Sequence, residues 1–247
     1  MTGARRGIGK AIALALADAA FDVAVADVDA GADLQLVADA VKSKGRKAVA
    51  IRADISDLSA HTGVLDAAEA ALGPLTTLVN NAGVSVLSRG DLLDVTPESF
   101  DRCMSVNARG TFFLTQAFSR RAASVNSPGH RSVITITSAN ATAVSIARGE
   151  YCMSKSAASM MSKLFAARLS NEGIGVYEIQ PGFIETDMTA PSKAKYDALI
   201  ENGLTVVKRF GSPQEVARVA VTLASGLLPY TVGQPIFVDG GLLTVRY

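Results

Sequence analysis

The 247-residue chain has no tryptophan, two cysteines and two histidines, and aromatic residues make up only 6% of it. Cys103 and Cys152 are too few for a disulfide framework and stand at no metal-ligand spacing, so both read as free thiols of a reducing compartment. His61 and His130 have no partner at ligand spacing, which excludes a metal centre and leaves both as expected surface residues. Charge of one sign is missing too: 24 Lys and Arg stand against 23 Asp and Glu, so no basic face for nucleic acid is expected. No apolar run reaches the roughly 18 residues that cross a bilayer. Arg5, Arg6 and Lys10 followed by Ala11 to Ala17 imitate a secretion signal, but Gly7, Gly9 and Asp18 interrupt the pattern. These absences predict a soluble, cytoplasmic protein with no membrane partner.

What the chain does contain is a 49% hydrophobic fraction with no Pro/Ser-rich linker, which predicts one large core and a single domain over residues 1–247. Short β-branched runs alternate with amphipathic stretches. Strands are expected at Asp22–Asp27, Ala48–Ala53, Thr76–Asn80, Arg131–Thr137, Gly175–Gln180 and Pro235–Val238. Several are apolar on both parities, as parallel strands covered on both faces are. Helices are expected at Lys10–Ala20, Ala32–Lys44, Ser59–Leu72, Pro97–Ser124, Glu150–Glu172 and Pro213–Gly226, with Gly45, Gly73 and Gly173 as stops. The alternation predicts an α/β fold, an open parallel sheet with helices on both sides.

Two motifs carry chemistry. Thr2-Gly3-Ala4-Arg5-Arg6-Gly7-Ile8-Gly9 opens directly into a helix, whose unpaired N–H groups and dipole favour a pyrophosphate, and glycine lets backbone approach it closely. Asp27 ends the next strand 18 residues after Gly9, where a carboxylate can accept hydrogen bonds from an adenosine ribose or simply stand solvated. Tyr151 and Lys155 are spaced to project from one helix face a turn apart. An ammonium near a phenol stabilises the phenolate, which makes a tyrosine a usable proton donor and acceptor.

Together with Asp54, Asn80-Asn81-Ala82-Gly83, Asn107, Ser138, Pro181-Gly182 with Thr186, and Val238-Asp239-Gly240-Gly241, these motifs resemble the short-chain dehydrogenase/reductase family along the whole chain. The resemblance implies a Rossmann-type doubly wound sheet, a nicotinamide dinucleotide and a ketone or secondary-alcohol substrate. It implies Tyr151 as general acid/base, Lys155 as its partner and ribose ligand, Ser138 on the substrate oxygen, and Asn107 holding a water of the proton relay. Thr135, Thr137, Thr142 and Ser145 are rivals of Ser138, which is preferred because its 13-residue distance from Tyr151 matches the family.

For the cofactor, the resemblance assigns Gly3, Gly7, Ile8 and Gly9 to the pyrophosphate, with Arg5 and Arg6 beside it. Asp54 and Ile55 would meet adenine, and Asn81, Ala82 and Gly83 the adenosine side. Pro181, Gly182, Ile184 and Thr186 would hold the carboxamide end. Outside the family Asp54 reads as a helix N-terminal acid and Pro181-Gly182 as a turn. Asp27 would stand where a 2′-phosphate must sit, and like charges about 4 Å apart cost about 1 kcal/mol even in water, so NAD is expected, with NADP the alternative that Arg6 favours.

The segment from Thr189 to Arg209 is expected to cap the substrate, with Lys193, Lys195, Tyr196 and Lys208 polar and Leu199, Ile200, Leu204 and Val206 apolar. Lys208-Arg209-Phe210-Gly211 and the closing Asp-Gly-Gly are similar to 3-oxoacyl-carrier-protein reductases, the alternative substrate reading, against which Glu172 and Asp27 weigh. A non-catalytic dinucleotide-binding regulator is the alternative of another class, and it would need no Ser-Tyr-Lys set. Met153, Met160 and Met161 read as fillers of a core or subunit seam. The helices of Asn107 and Tyr151 pair between subunits in family tetramers, so a homotetramer is implied. Relatives also place a central strand ahead of the Thr-Gly that stands here at positions 2 and 3. The sheet is therefore expected to lack that first strand, leaving backbone groups and apolar faces poorly covered.

Overall fold

The structure is a computed structural model that describes residues 1–124 and 129–246; residues 125–128 and 247 of the expected 1–247 domain lie outside the described residues. Six parallel strands run in the described residues: β1 (Val23–Asp27), β2 (Ala48–Arg52), β3 (Thr77–Asn80), β4 (Arg131–Ile136), β5 (Ile174–Pro181) and β6 (Pro235–Val238). β1 pairs with β2, and β3 to β6 pair in sequence order. Helices α1 (Gly7–Asp18), α2 (Ala32–Ser43) and α8 (Pro213–Ala224) cover one face. Their Ile12, Leu34, Val37, Val216 and Leu223 pack on Val25, Ile134 and Ile179. Helices α3 (His61–Leu72), α5 (Thr111–Ser124) and α6 (Gly149–Leu169) cover the other, with Leu65, Leu114 and Phe118 against Leu78, Val133 and Val176. The strands are apolar on both parities because each parity meets a different helical layer.

The expected elements are present, with local differences of physical origin. Helix α1 begins at Gly7 rather than Lys10, because the glycine turn itself takes up helical geometry. The stretch expected as one helix over Pro97–Ser124 is α4 (Pro97–Cys103), a π-helical segment (Met104–Gly110) and α5. Gly110 explains close passage there: a Cβ on it would lie 2.3 Å from the carbonyl oxygen of Ile55. Gly45, Gly73 and Gly173 terminate helices with φ of +77°, +85° and +69°. Helix α7 (Lys193–Glu201) was not anticipated, and its marginal amphipathicity explains why.

Both histidines depart from the surface positions expected for them. His61 is buried and its Nε2 donates to the carbonyl of Ile55 at 2.8 Å, so it joins the start of α3 to the end of β2. His130 is half-buried beside Tyr177, ring centroids 6.2 Å apart, and burial pushes its pKa down. Of the methionines, Met161 is core, but Met153 and Met160 are exposed on α6.

Between β1 and β3 the sheet is interrupted. Residues Met1 to Ala4 occupy only the end of the gap: Thr2 N–H donates to Val79 O at 3.0 Å, Ala26 N–H to Met1 O at 2.9 Å, and Ala4 N–H to Ala26 O at 3.1 Å. Beyond Met1 lies a cavity of about 280 Å³ lined by Leu16, Val23, Ala24, Leu65, Leu78 and Phe118. The Met1 ammonium sits inside it, donating to Ala24 O at 3.0 Å, and burial lowers its pKa from 8.0 to about 6.

Candidate active site

Parallel pairing brings the carboxyl ends of all six described strands to one edge of the sheet, and a cleft opens there. One end of the cleft is the turn before α1. Gly3 and Gly7 have φ of +63° and +54°, conformations that side chains resist, and a Cβ on Gly9 would lie 1.9 Å from the Gly3 oxygen. The Arg6 side chain makes no cap bond and the first turn of α1 holds no acid, so its leading N–H groups are open to an anion. Thr2 Oγ1 accepts from Asn81 and Ala82 N–H, both at 3.1 Å. Asn81 Nδ2 donates to the Thr2 and Gly3 carbonyls at 3.1 and 2.8 Å, so Asn81 and Ala82 hold the turn in shape.

At the other end stand Ser138, Tyr151 and Lys155. Ser138 follows β4, and its Oγ accepts the Asn140 N–H at 3.1 Å, which leaves the hydroxyl proton to donate into the cleft. Tyr151 and Lys155 are buried on α6 yet line the cleft. Lys155 Nζ lies 5.8 Å from the Tyr151 ring centroid and donates to Ile136 O at 3.1 Å. A Cβ on Gly83 would lie 3.1 Å from Asn107 Oδ1 and 3.3 Å from Lys155 Nζ, so glycine there keeps the space between them open. The Asn107 side chain is fully engaged: Nδ2 donates to Val84 O and Ser154 Oγ, both at 2.9 Å, and Oδ1 accepts Val84 N–H at 2.8 Å.

Beyond β5, Pro181, Gly182, Ile184 and Thr186 line the same cleft. Gly182 packs so tightly on the segment after β6 that a Cβ would lie 2.7 Å from Asp239 Cα. Thr189 Oγ1 donates to Ile184 O at 2.7 Å and accepts Thr186 N–H at 3.0 Å, which fixes the loop. Of the segment expected to cap the substrate, Thr189, Ser192 and Tyr196 line the cleft, with the Tyr196 ring 4.4 Å from that of Phe183; Lys193 turns instead to Asp197, and Ile200 is buried.

Four assigned cofactor residues and Asn107 lie outside that lining. Asp27 accepts Arg5 N–H at 3.2 Å at the tip of β1, and the Arg5 guanidinium lies 3.8, 3.5 and 3.6 Å from Asp27, Asp29 and Asp33. Asp54 is exposed and accepts from Ser56 N–H and Oγ, while Ile55 is buried in the second core. Arg6 reaches not toward Asp27 but across the cleft mouth to Asp187, at 3.4 Å.

Sequence reasoning missed a buried tie beneath this site. Glu178 on β5 accepts from Thr137 Oγ1 at 2.6 Å, Ser159 Oγ at 2.8 Å and Gln180 Nε2 at 2.8 Å, while Thr142 Oγ1 donates to Gln180 Oε1 at 3.2 Å. One acceptor-only carboxylate thus joins the residue before Ser138, the turn after Lys155 and the strand that ends in Pro181. The interruption of an apolar strand by Glu178 and Gln180 was the visible signal. Arg89, Asn140 and Arg148 also line the cleft and were not singled out.

A parallel α/β sheet with an uncapped glycine-rich helix start and a Ser-Tyr-Lys cluster in one cleft defines a dinucleotide-dependent oxidoreductase. The family model described as Enoyl-(Acyl carrier protein) reductase matches residues 3–243. The solved 3-oxoacyl-[acyl-carrier protein] reductase from Brucella melitensis in complex with NAD is 39% identical, covering 100% of this chain and 97% of that one with a TM-score of 0.96. Versicolorin reductase stcU of Emericella nidulans is 35% identical over 98% of this chain and 93% of its own length. The 2-dehydro-3-deoxy-D-gluconate 5-dehydrogenase of Dickeya dadantii is 31% identical over 98% and 94%. The chain belongs to the short-chain dehydrogenase/reductase family. It is an oxidoreductase that transfers hydride between a nicotinamide dinucleotide, NAD or NADP, and a ketone or secondary alcohol, with a tyrosine as general acid/base. Among the described residues no cluster fits a metal ion, and no helix is long and apolar enough to cross a membrane.

Replacing Glu178 by Ala leaves the buried Ser159 hydroxyl and Gln180 amide without their acceptor and Thr137 with only the Ile179 carbonyl, and is expected to cost about 2 to 3 kcal/mol of stability in urea unfolding. Glu178→Gln, which keeps an acceptor in place, is expected to recover much of that loss.

Proposed function

We propose that Tyr151 is the group that gives the proton to the substrate oxygen in reduction and takes it back in oxidation, with Ser138 donating a hydrogen bond to the same oxygen. The observation that carries this reading is the shared cleft: Ser138, Tyr151 and Lys155 face it together, opposite the open helix start of α1. A nicotinamide dinucleotide bound along it supplies or accepts the hydride. Ser138 is held by the Asn140 N–H and Lys155 by the Ile136 carbonyl before substrate arrives, so their dipoles need no reorganisation as charge builds on the oxygen. Lys155 places its ammonium 5.8 Å from the centre of the phenol ring, where it is assigned to hold the nicotinamide ribose beside Tyr151. Asn107 acts here by locking the segment after β3 to α6 through Val84 and Ser154, which uses both of its amide hydrogens.

The open N–H groups of α1, with Gly3, Gly7, Ile8 and Gly9, fit a diphosphate; Pro181, Gly182, Ile184 and Thr186 fit the carboxamide end. NAD(H) is the preferred cofactor. Asp27, Asp29 and Asp33 crowd a single guanidinium, so the rim at β1 stays net negative, and Arg6 is turned to Asp187 instead of offering itself to a 2′-phosphate. Asp54 and Ile55, at the end of the neighbouring β2, are assigned to the adenine side. Two free thiols support a cytoplasmic setting.

A homotetramer is the assembly we assign. Helices α5 and α6 carry exposed Phe113, Met153, Met160 and Leu164, and Phe112, Phe113 and Met161 line a groove between them, apolar surface that an interface between copies would cover. The carrier-protein reading draws support from the Brucella melitensis relative, and the sugar-acid name of the Dickeya dadantii relative points elsewhere.

Kinetics with NADH and NADPH on a ketone panel test the chemistry. Tyr151→Phe is expected to lower kcat by about 100-fold or more. NADH should exceed NADPH in kcat/KM, and Asp27→Ser should narrow the ratio by about tenfold; turnover that survives in Tyr151→Phe, or a native preference for NADPH, would refute the respective assignment. Sedimentation should show a tetramer that Met160→Arg with Leu164→Glu dissociates, and a monomeric wild type refutes the assembly.

A further inference from the structure

Four cations, Arg6, Arg89, Arg148 and Lys155, line the cleft against one carboxylate, Asp187. Arg6 is paired with Asp187, and Lys155 belongs to the phenol and the Ile136 carbonyl. Arg89 and Arg148 remain. Among the described residues neither has a carboxylate within ion-pair distance. Neither stands at the helix start of α1, where a diphosphate fits.

Arg148 is not a swinging surface arginine. It is half-buried at the N-terminal boundary of α6, three residues before Tyr151, and its guanidinium carbon lies 5.3 Å from the centroid of the Tyr151 ring. One N–H donates at 2.6 Å to Asn140 Oδ1, and the backbone N–H of the same Asn140 donates to Ser138 Oγ. A single asparagine therefore fixes the guanidinium relative to the hydroxyl that meets the reacting oxygen. Only one of its five donors is used by Asn140, and the planar fork matches the paired oxygens of an oxyanion.

We propose that Arg148 binds an anionic group on the substrate, so that the ketone or alcohol this cleft accepts carries an oxyanion, a carboxylate or a phosphate ester, beside its reacting carbon. Arg89, on the exposed rim of the same cleft, approaches that group from the solvent side. The inference rests on the assignment of Ser138 and Tyr151 as the reacting corner, and names the substrate class for that corner. A neutral ketone loses this contact and leaves the pinned guanidinium to water. The site discriminates by charge, while the apolar Phe183, Met188 and Leu242 tolerate varied chains.

The test is binding to the NADH complex, read by nicotinamide fluorescence and calorimetry. The probes are acetate, malonate, D-tartrate and D-gluconate against their amides, and glycerol 3-phosphate against glycerol, the two arms separating carboxylate from phosphate. At least one anion is expected to bind about tenfold more tightly than its neutral counterpart, and Arg148→Gln is expected to bring the ratio close to one. Ratios near one throughout in the wild type, or a preference that persists in both Arg148→Gln and Arg89→Gln, overturn the proposal. Tyr151→Phe is measured alongside. Retained anion preference with lost turnover supports both assignments, and retained turnover refutes the role of Tyr151 while the binding ratio still decides that of Arg148.

Discussion

Parallel strand pairing requires a crossover between successive strands, and every crossover returns the chain to the same starting edge. The opposite edge then collects every strand's carboxyl end, and with it the first residues of every following loop. Asn81 to Gly83 after β3, Ser138 after β4, Pro181 to Thr186 around the end of β5, and the glycine turn before α1 meet for that reason. Residues more than a hundred positions apart become neighbours through backbone hydrogen bonds that carry no side-chain information. The chemistry of the cleft is an addition to this arrangement.

The edge is then stiffened by polar ties that sit below it. Glu178 reaches in three directions from β5, Asn107 locks the segment after β3 to α6, and Asn81 holds the glycine turn through two carbonyls. Each is buried or half-buried, so each hydrogen bond is both stronger and more costly to break than at the surface. The pattern separates labour: the inner polar groups fix positions, and the outer ones, Ser138, Tyr151, Lys155 and Arg148, present donors and charge to the ligand. Where the sheet is interrupted between β1 and β3, this logic is weakest. Met1 to Ala4 carry the turn there with three backbone bonds.

Much of this was legible beforehand because it is local. Alternation of β-branched runs with amphipathic stretches located the six described strands, since several are apolar on both parities and none is longer than eight residues. The glycine turn and Tyr151 with Lys155 were legible because their spacing is set by a single helix. Lys193–Glu201 was not, because a cap helix resting on a cleft has too little apolar surface to leave a periodic trace. His61 and His130 were misplaced since a lone histidine carries no signal of whether a neighbouring backbone group or ring will cover it. Met153 and Met160 read as fillers, and on the isolated chain they stand exposed on α6.

By itself the sequence determined the family, the class of reaction and the order of elements, all of which depend on residue type at short spacing. Only the tertiary structure decided which charges face which. Arg5 rather than Arg6 lies against Asp27, Arg6 spans the cleft mouth to Asp187, and Arg148 is stacked on Tyr151 without a carboxylate among the described residues. Those pairings follow from where strand ends and loops converge in space, and Coulomb attraction depends on distance, which linear order does not record.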